Sequence, residues 1–116
     1  MIAVIFEAIP HPEHSKDYFD IAAALKDHLE EVDGFLSVER FESLTHPGKF
    51  LSLSFWRDEE AVQQWRNLQV HRSAQRTGRN RVFADYRLRV AAVVRDYGLE
   101  DRKEAPDDSL SAHRPE

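Results

Sequence analysis

Residues 55–81 read FWRDEEAVQQWRNLQVHRSAQRTGRNR, and this stretch decides the fold because it joins a strand end to the helix that follows it. Asp58 stands before two glutamates, which is typical of a capped helix N-terminus, and Gly78 predicts where the helix ends. The helix is expected to lay its Trp65 side on a sheet. The residues on that face of the helical wheel are Ala61, Trp65, Leu68 and Arg72.

The chain before this stretch predicts three strands and a long helix. Residues 2–9 alternate as a strand whose two faces are both apolar apart from Glu7. Residues 16–32 keep an apolar stripe at i, i+3/i+4, which predicts an amphipathic helix. Residues 35–43 and 49–56 flank a turn that contains Pro and Gly, so they are expected to form a hairpin.

Residues 86–94 alternate as a final strand, which gives the order strand, helix, strand, strand, helix, strand. With right-handed crossovers this order predicts a ferredoxin-like α+β fold, βαββαβ, with a four-stranded antiparallel sheet. We assign residues 1–98 to this domain. Residues 100–116 contain one Leu and no aromatic residue, so we expect residues 99–116 to form a polar, flexible C-terminal tail.

Two helices can cover only one face of such a sheet, whereas the strands are apolar on both faces. An apolar face of that size is not expected to stay exposed to water. The simplest cover is a second copy packed sheet against sheet, which predicts a homodimer that closes a dimeric α/β barrel. A cavity between the helices and the sheet would then be the natural site for a small-molecule ligand.

The composition excludes several classes of site. A chain of 116 residues without Cys has no disulfide, no thiolate metal site and no Cys nucleophile, and it suits a reducing compartment. The first residues lack the regions of a signal peptide, and no segment approaches the roughly 18 apolar residues of a membrane span. We therefore expect a cytoplasmic protein with no membrane partner.

The charge is unevenly distributed. The net charge is −5, yet residues 61–84 contain no acid. A basic stretch on an acidic chain favours a site for a small anion over a nucleic-acid surface, so no nucleic-acid partner is expected. A solvated helix face is the structural alternative. The arginines in the stretch are Arg66, Arg72, Arg76, Arg79 and Arg81.

Trp65 and His71 are the candidates for catalysis. Trp65 would either pack in the core or form a wall of the ligand pocket. His71 flanks the Trp65 face and could act as an acid or base near neutral pH, or simply bond to a backbone group. No second ligand stands at metal-binding spacing from it, so no metal site is expected.

Arg72, Tyr86 and Glu7 are the candidates for substrate binding. Arg72 is a charge on the apolar helix face, so it must pair, reach solvent or hold an anion, and Glu7 or Glu39 could be its partner. The phenol of Tyr86 could hydrogen-bond a quinone or hydroxyl oxygen. Structural charge pairs are the alternative for Arg72 and Glu7.

Three segments also carry a family resemblance: SLSFWRDEEA at 52–61, VQQWRNLQVHRSAQ at 62–75 and DYRLRVAAVVRDYG at 85–98. With the order of elements, they resemble the antibiotic biosynthesis monooxygenase superfamily over residues 1–98. The resemblance implies a dimeric α+β barrel with a pocket between helices and sheet in each subunit. This superfamily includes cofactor-free quinone-forming oxygenases and haem-degrading oxygenases.

The resemblance implies a cofactor-independent monooxygenase that acts on a small aromatic or quinol-like molecule. The deprotonated substrate would supply electrons to dioxygen, while the protein contributes desolvation, orientation and a proton acceptor. His71 is the expected base, Trp65 the pocket wall, and Arg72 and Tyr86 the groups that hold oxygen. A non-catalytic small-molecule binding or sensing dimer is the alternative.

Haem degradation is a further alternative, with haem as the cofactor. Haem-degrading members use an Asn on the first strand, a Trp on the second helix and a His as iron ligand. Trp65 matches the Trp, but the first strand offers Glu7 near the Asn position. The ligand His is expected about one turn beyond His71, nearer to Gln75. Two of the three positions therefore depart from the haem-degrading pattern.

Overall fold

A computed structural model describes residues 1–77 and 81–113 of the chain, apart from the side chains at positions 69–71 and 74. A short 3₁₀ turn, Pro12–His14, leads into the first helix. The strands and helices in chain order are β1 Ile2–Pro10, α1 Ser15–Glu30, β2 Phe35–Glu42, β3 Phe50–Trp56, α2 Glu59–Asn67, α3 Gln69–Thr77, β4 Phe83–Ala92 and α4 Asp107–Ala112.

The four strands form one antiparallel sheet in the order β2-β3-β1-β4. Strands β2 and β3 are neighbours, as the hairpin prediction requires. Strand β4, which follows α3 in the chain, pairs with β1. This is the ferredoxin-like α+β topology, so the fold predicted from the order of elements is confirmed.

The second helix differs from its prediction because it is broken in two. Asp58 caps α2 as expected, accepting a hydrogen bond from the Ala61 backbone N–H at 2.9 Å. Leu68, however, has an extended backbone with φ −61° and ψ 137°, which ends α2 before α3 begins. The faces of α2 and α3 are therefore not continuous, and a single helical wheel does not place Arg72 correctly relative to Trp65.

A tight turn at Gly34 allows the first turn of α2 to pack close to the chain that precedes β2. Gly34 has a φ of +93°, and a Cβ there would lie 2.8 Å from the Cβ of Ala61. The Arg57 backbone N–H donates to the Gly34 carbonyl at 2.7 Å, and its guanidinium bonds both carboxylate oxygens of Asp33 at 3.2 Å. This tight turn seats the first turn of α2 against the sheet.

Two apolar clusters join the helices to one face of the sheet. The members of the first are Leu29, Trp56, Ala61, Val62 and Trp65. The members of the second are Ala8, Tyr18 and Val82. Leu29 and Tyr18 both belong to α1, so this helix reaches from one cluster to the other. The middle of the sheet lies between the two clusters.

The other face of the sheet carries the alternate residues of each strand. Ile5 and Glu7 of β1 point to this face, opposite to Val4 and Phe6, and Leu53 of β3 lies beside Ile5 in the ladder. Ile5 and Leu53 are half-buried although they sit in the central strands. The expected second apolar face is therefore present.

The tail contains more regular structure than its composition predicts. Helix α4 lies within it, and Ala105 just before α4 is buried. The Arg102 guanidinium stacks over the Tyr97 ring at 5.2 Å and donates to the Gly98 carbonyl at 3.1 Å. The flexibility of residues 99–116 stays a prediction. No helix in the ranges 1–77 and 81–113 is long and apolar enough to span a membrane.

Candidate functional site

A cleft of about 370 Å³ lies between the helices and the sheet. Its floor is formed by the helix-facing residues of the strands, which run across the sheet in rows. One row is Val38, Ser54, Val4 and Val90, and the next is Arg40, Ser52, Phe6 and Leu88. Leu88 and Val90 of the edge strand β4 are 53% and 45% exposed, so the cleft is open on that side.

One end of the cleft is apolar and holds two tryptophans. Trp56 and Trp65 have ring centroids 6.4 Å apart, and both line the cleft beside Leu29 and Val62. The indole N–H of Trp56 donates to Ser54 Oγ at 2.9 Å, which satisfies both groups in this buried position. This end is therefore suited to a ring or an alkyl chain rather than to a charge.

The opposite end holds a buried phenol. Tyr18 is only 6% exposed and packs between the rings of Phe50 and Phe83, with centroids 5.9 and 5.6 Å away. Its hydroxyl forms no hydrogen bond within the described part of the chain. Burial raises the pKa of Tyr18, and the nearby charge of Arg40 opposes part of that rise. The phenol therefore keeps its proton at neutral pH and can donate it in a hydrogen bond.

The charges around the cleft are of one sign. Lys26, Arg40 and Arg66 line it, and none of the described lining residues is an Asp or Glu. None of these three cations forms an ion pair with a described residue. A cleft lined by positive charge concentrates anions even on a protein with net negative charge. Of these three cations only Arg66 comes from the arginine stretch 61–84, and the small-anion site stays a prediction.

Two of the proposed site residues line the cleft. Trp65 lines its apolar end, and Tyr86 lines it from β4. The Tyr86 ring packs on Phe6 and Phe83, with centroids 5.7 and 5.8 Å away. Both residues are in position to contact a bound molecule, and their chemical roles stay predictions.

Glu7 does not reach the cleft. Strand alternation points it to the opposite face, where its carboxylate lies 3.2 Å from Arg89 Nη1 and 3.6 Å from Lys49 Nζ. The hydrogen bond from Arg89 is the main cause that lowers the pKa of Glu7. Glu7 therefore does not line this cleft, because its neighbours Phe6 and Ala8 take the helix-facing side, and its part in substrate binding stays a prediction.

Arg72 also lies outside the set of described residues that line the cleft. It is exposed, and its guanidinium donates to Asn67 Oδ1 at 2.6 Å and to Gln75 Oε1 at 3.0 Å. The expected pairing with Glu7 or Glu39 is not formed. The break at Leu68 explains the difference, because α3 starts with a new orientation and turns Arg72 towards Asn67, the last residue of α2, and Gln75 of α3.

His71 lies in α3, and its side chain is outside the described residues. Its role as a base therefore stays a prediction. Gln75, one turn further along α3, does line the cleft. Among the residues that the structure describes, no group of three or more His, Cys, Asp and Glu could hold a metal ion.

Sequence reasoning missed Tyr18 and Arg40. Tyr18 stands on the apolar stripe of the predicted helix at residues 16–32, where packing is the ordinary role of an aromatic residue. Arg40 lies in the predicted strand at residues 35–43, on the same strand face as Val38 two residues earlier. That shared face was the available signal, since it puts the charge on the side of the strand that faces the helices.

The chain resembles known proteins in sequence. A family model for the antibiotic biosynthesis monooxygenase domain matches residues 1–77. A jasmonate monooxygenase of Pyricularia oryzae is 47% identical over 94 residues, which cover 81% of this chain and 44% of that protein. An uncharacterized protein of Bacillus subtilis is 30% identical over 93 residues, covering 80% of this chain and 79% of its own length. The chain thus spans less than half the length of the Pyricularia protein.

Solved structures share the fold. A crystal structure of a proposed antibiotic biosynthesis monooxygenase from Deinococcus radiodurans superposes with a TM-score of 0.76 over 85% of this chain and 98% of its own, at 17% identity. A protein of Mycobacterium tuberculosis superposes with a TM-score of 0.75 over 84% of this chain and 98% of its own, at 18% identity. At such identities the likeness concerns the fold alone.

Proposed function

This chain belongs to the antibiotic biosynthesis monooxygenase family, and from that premise we propose that it is a cofactor-independent monooxygenase acting on a small, mostly apolar molecule. The observation that carries the proposal is the cleft of about 370 Å³, whose described lining is mostly apolar and includes Trp65 and Tyr86. A pocket of this size that is lined by aromatic residues and a few polar groups is typical of small-molecule sites.

The substrate class follows from the lining. Trp65, Phe6 and Tyr86 offer ring faces to an aromatic, quinol-like or other cyclic molecule. The relative from Pyricularia is named for jasmonate, a cyclic ketone with a carboxylate, and such a molecule also suits an apolar cleft with a cationic lining. We therefore include both quinol-like molecules and cyclic carboxylates among the substrates to test.

In the proposed reaction the substrate supplies all the electrons. A carbon that bears two hydrogens, beside a ketone or in the keto tautomer of a quinol, loses a proton, the resulting anion reduces dioxygen, and carbon and oxygen join. Loss of water then leaves a carbonyl group, so one oxygen atom enters the product, the other leaves as water, and no external reductant is consumed. In this proposal the protein excludes water through the apolar walls, Tyr86 donates a hydrogen bond to a substrate oxygen, and His71 accepts the proton.

The proposed function predicts oxygen uptake without an added reductant. Purified protein is given jasmonic acid and a panel of dihydroxynaphthalenes, and oxygen consumption is followed together with product mass under ¹⁸O₂. We expect one labelled oxygen in the product and a loss of two hydrogens. We expect Trp65→Phe and His71→Ala to lower turnover by roughly tenfold or more, because both disturb the positioned reactants.

Gln63→Ala, on the exposed side of α2, is the matched control and should keep full turnover. Unchanged turnover in His71→Ala would remove His71 as the base. Label in the product only when a reductant is added would contradict the cofactor-independent route.

A non-catalytic binding or sensing dimer is the second candidate. Two of the five expected site residues, Arg72 and Glu7, lie away from the cleft, and this favours binding without catalysis. Native mass spectrometry of freshly purified protein distinguishes this candidate, since a retained small molecule that is not consumed in air supports binding alone.

Haem fits the described residues poorly. Trp65 is in place, but Glu7, which stands near the position of the family's Asn, points to the opposite face of the sheet. None of the described residues that line the cleft is a His, Cys or Met that would ligate iron. We therefore derive no step through haem. A Soret shift on addition of hemin, at about one hemin per subunit, would reverse this choice.

We further propose that the second sheet face forms a homodimer interface. Ile5, Leu53 and Phe55 lie on this face in the two central strands and are half-buried in a single chain. Burying such a face against a second copy would remove it from water and close the barrel.

The dimer proposal predicts that Leu53→Glu yields monomers. A carboxylate at the centre of the interface would have to be buried without a partner, which is costly. Size-exclusion chromatography with light scattering should show a dimer for the unaltered chain and a monomer for the variant. Leu44→Glu is the control, because Leu44 is 98% exposed in the hairpin turn and should leave the dimer intact. A monomeric unaltered chain would contradict the barrel.

A further inference from the structure

The end of the cleft at Tyr18 contains a hydrogen-bond donor without an acceptor. The Tyr18 hydroxyl is buried, and no described residue accepts its proton. Buried polar groups in native proteins nearly always have partners, so an exception next to a cavity calls for an explanation. A ligand atom that accepts a hydrogen bond would supply the missing partner.

Arg40 brings a second donor to the same end. Its position in β2, opposite Ser52 and on the same face as Val38, puts it on the helix-facing side of the sheet, where it stays exposed to solvent, lines the cleft and acts electrostatically on Tyr18. Arg40 forms no ion pair with any described residue, and its guanidinium lies near the Tyr18 hydroxyl and opposes the rise in the pKa of that phenol. A guanidinium only donates, so the proton of Tyr18 still has no acceptor among the described residues. Two donors, one of them a full positive charge, thus face a space whose described lining contains no carboxylate.

The apolar part of the cleft limits which kinds of anionic molecule can bind there. From Ser52, beside Arg40, to Trp56 the strand β3 advances four residues, or about 13 Å. The residues at the far end are Trp56, Trp65, Leu29 and Val62. An inorganic anion would fill only the Tyr18 end and leave this apolar space unused.

On these grounds we infer that Tyr18 and Arg40 form a carboxylate-binding site that orients an amphipathic organic acid, with its apolar body lying over Phe6 and Val4 towards Trp65. A carboxylate has two oxygens, and it can accept from the fork of Arg40 and from the Tyr18 hydroxyl together. This inference rests on the proposed function only in using the same cleft, since binding requires no oxidation.

The test measures binding without turnover. Under anaerobic conditions, 4-phenylbutyrate and its neutral amide, 4-phenylbutyramide, are titrated against the full chain by calorimetry, with tryptophan fluorescence as a second signal. We expect the acid to bind about 10 to 100 times more tightly than the amide. Arg40→Met, which keeps an apolar stem, should remove most of this preference. Arg95→Met, an exposed site beyond β4, makes the same change in net charge and should keep the preference.

Tyr18→Phe separates a ligand-binding role from a structural one. Because the hydroxyl has no partner in the described structure, its removal should leave the melting temperature of the ligand-free chain unchanged or higher. The same variant should bind 4-phenylbutyrate several-fold more weakly. A lowered melting temperature with unchanged affinity would show a structural role and overturn the inference for Tyr18.

Equal binding of the acid and the amide, or failure of both to bind, would overturn the inference as a whole. Tight binding of the acid without any oxygen uptake would leave the carboxylate site standing and remove the monooxygenase proposal. The two proposals therefore fail by different results.

Discussion

Replacement of Trp56 by Ala is expected to destabilise the fold by about 3–5 kcal/mol, the range for removing a fully buried aromatic side chain. Trp56 is 1% exposed, packs on the rings of Phe35 and Trp65, and sits where β3 meets α2. Since domains of this size are stable by only about 5–15 kcal/mol, the variant should be close to unfolding. Urea denaturation followed by circular dichroism measures the change, at several protein concentrations because a dimer links stability to concentration.

Ser54→Ala is the matched control for this experiment. It leaves the Trp56 ring in place but removes the acceptor of its indole N–H, and we expect a smaller loss of about 1–3 kcal/mol. If Trp56→Ala cost no more than Ser54→Ala, the packing of the ring would not be the main stabilising interaction at this position.

Val90→Trp is expected to block the cleft while the domain stays folded. Val90 lies on the open side of the floor and is 45% exposed, so a larger side chain can project into the cleft without displacing the core. Binding of 4-phenylbutyrate should weaken by on the order of tenfold or more, because the indole occupies the space of the apolar body. Calorimetry gives the affinity, and thermal denaturation shows whether the fold is retained.

Gln63→Trp adds the same side chain on the exposed side of α2 and should leave the affinity unchanged. Unaltered binding in Val90→Trp would show that the apolar body does not lie over Val4, the β1 neighbour of Val90. A parallel loss in both variants would point to a general effect of the added ring.

The fold could be predicted because its determinants are local and repeated. The alternation in residues 2–9, the turn between the hairpin strands and the cap at Asp58 each act over a few residues, and together they leave one topology. The boundaries were less accurate: β4 begins at Phe83 rather than at residue 86, and the single second helix became α2 and α3.

The site was predicted less well because it depends on orientation between elements. Trp65 faces the sheet and lines the cleft, since it lies in the first helical segment, whose phase is set by the cap at Asp58. Arg72 lies beyond the break at Leu68, and nothing in the periodicity of the sequence indicates that Leu68 adopts an extended backbone. Arg40 was missed because a charge does not fit the apolar pattern of a strand, although it shares the helix-facing side of β2 with Val38.

The alternation of β1 has a consequence for how this domain can change over evolution. Val4 and Phe6 form the cleft floor while Ile5 and Glu7 belong to the opposite face, so neighbouring positions contribute to two different surfaces. Point substitutions can therefore adapt ligand chemistry and subunit assembly independently of each other. A single inserted or deleted residue in β1 would exchange the two surfaces at once. Length variation among relatives should accordingly concentrate in the hairpin turn between β2 and β3 and be absent from the central strands.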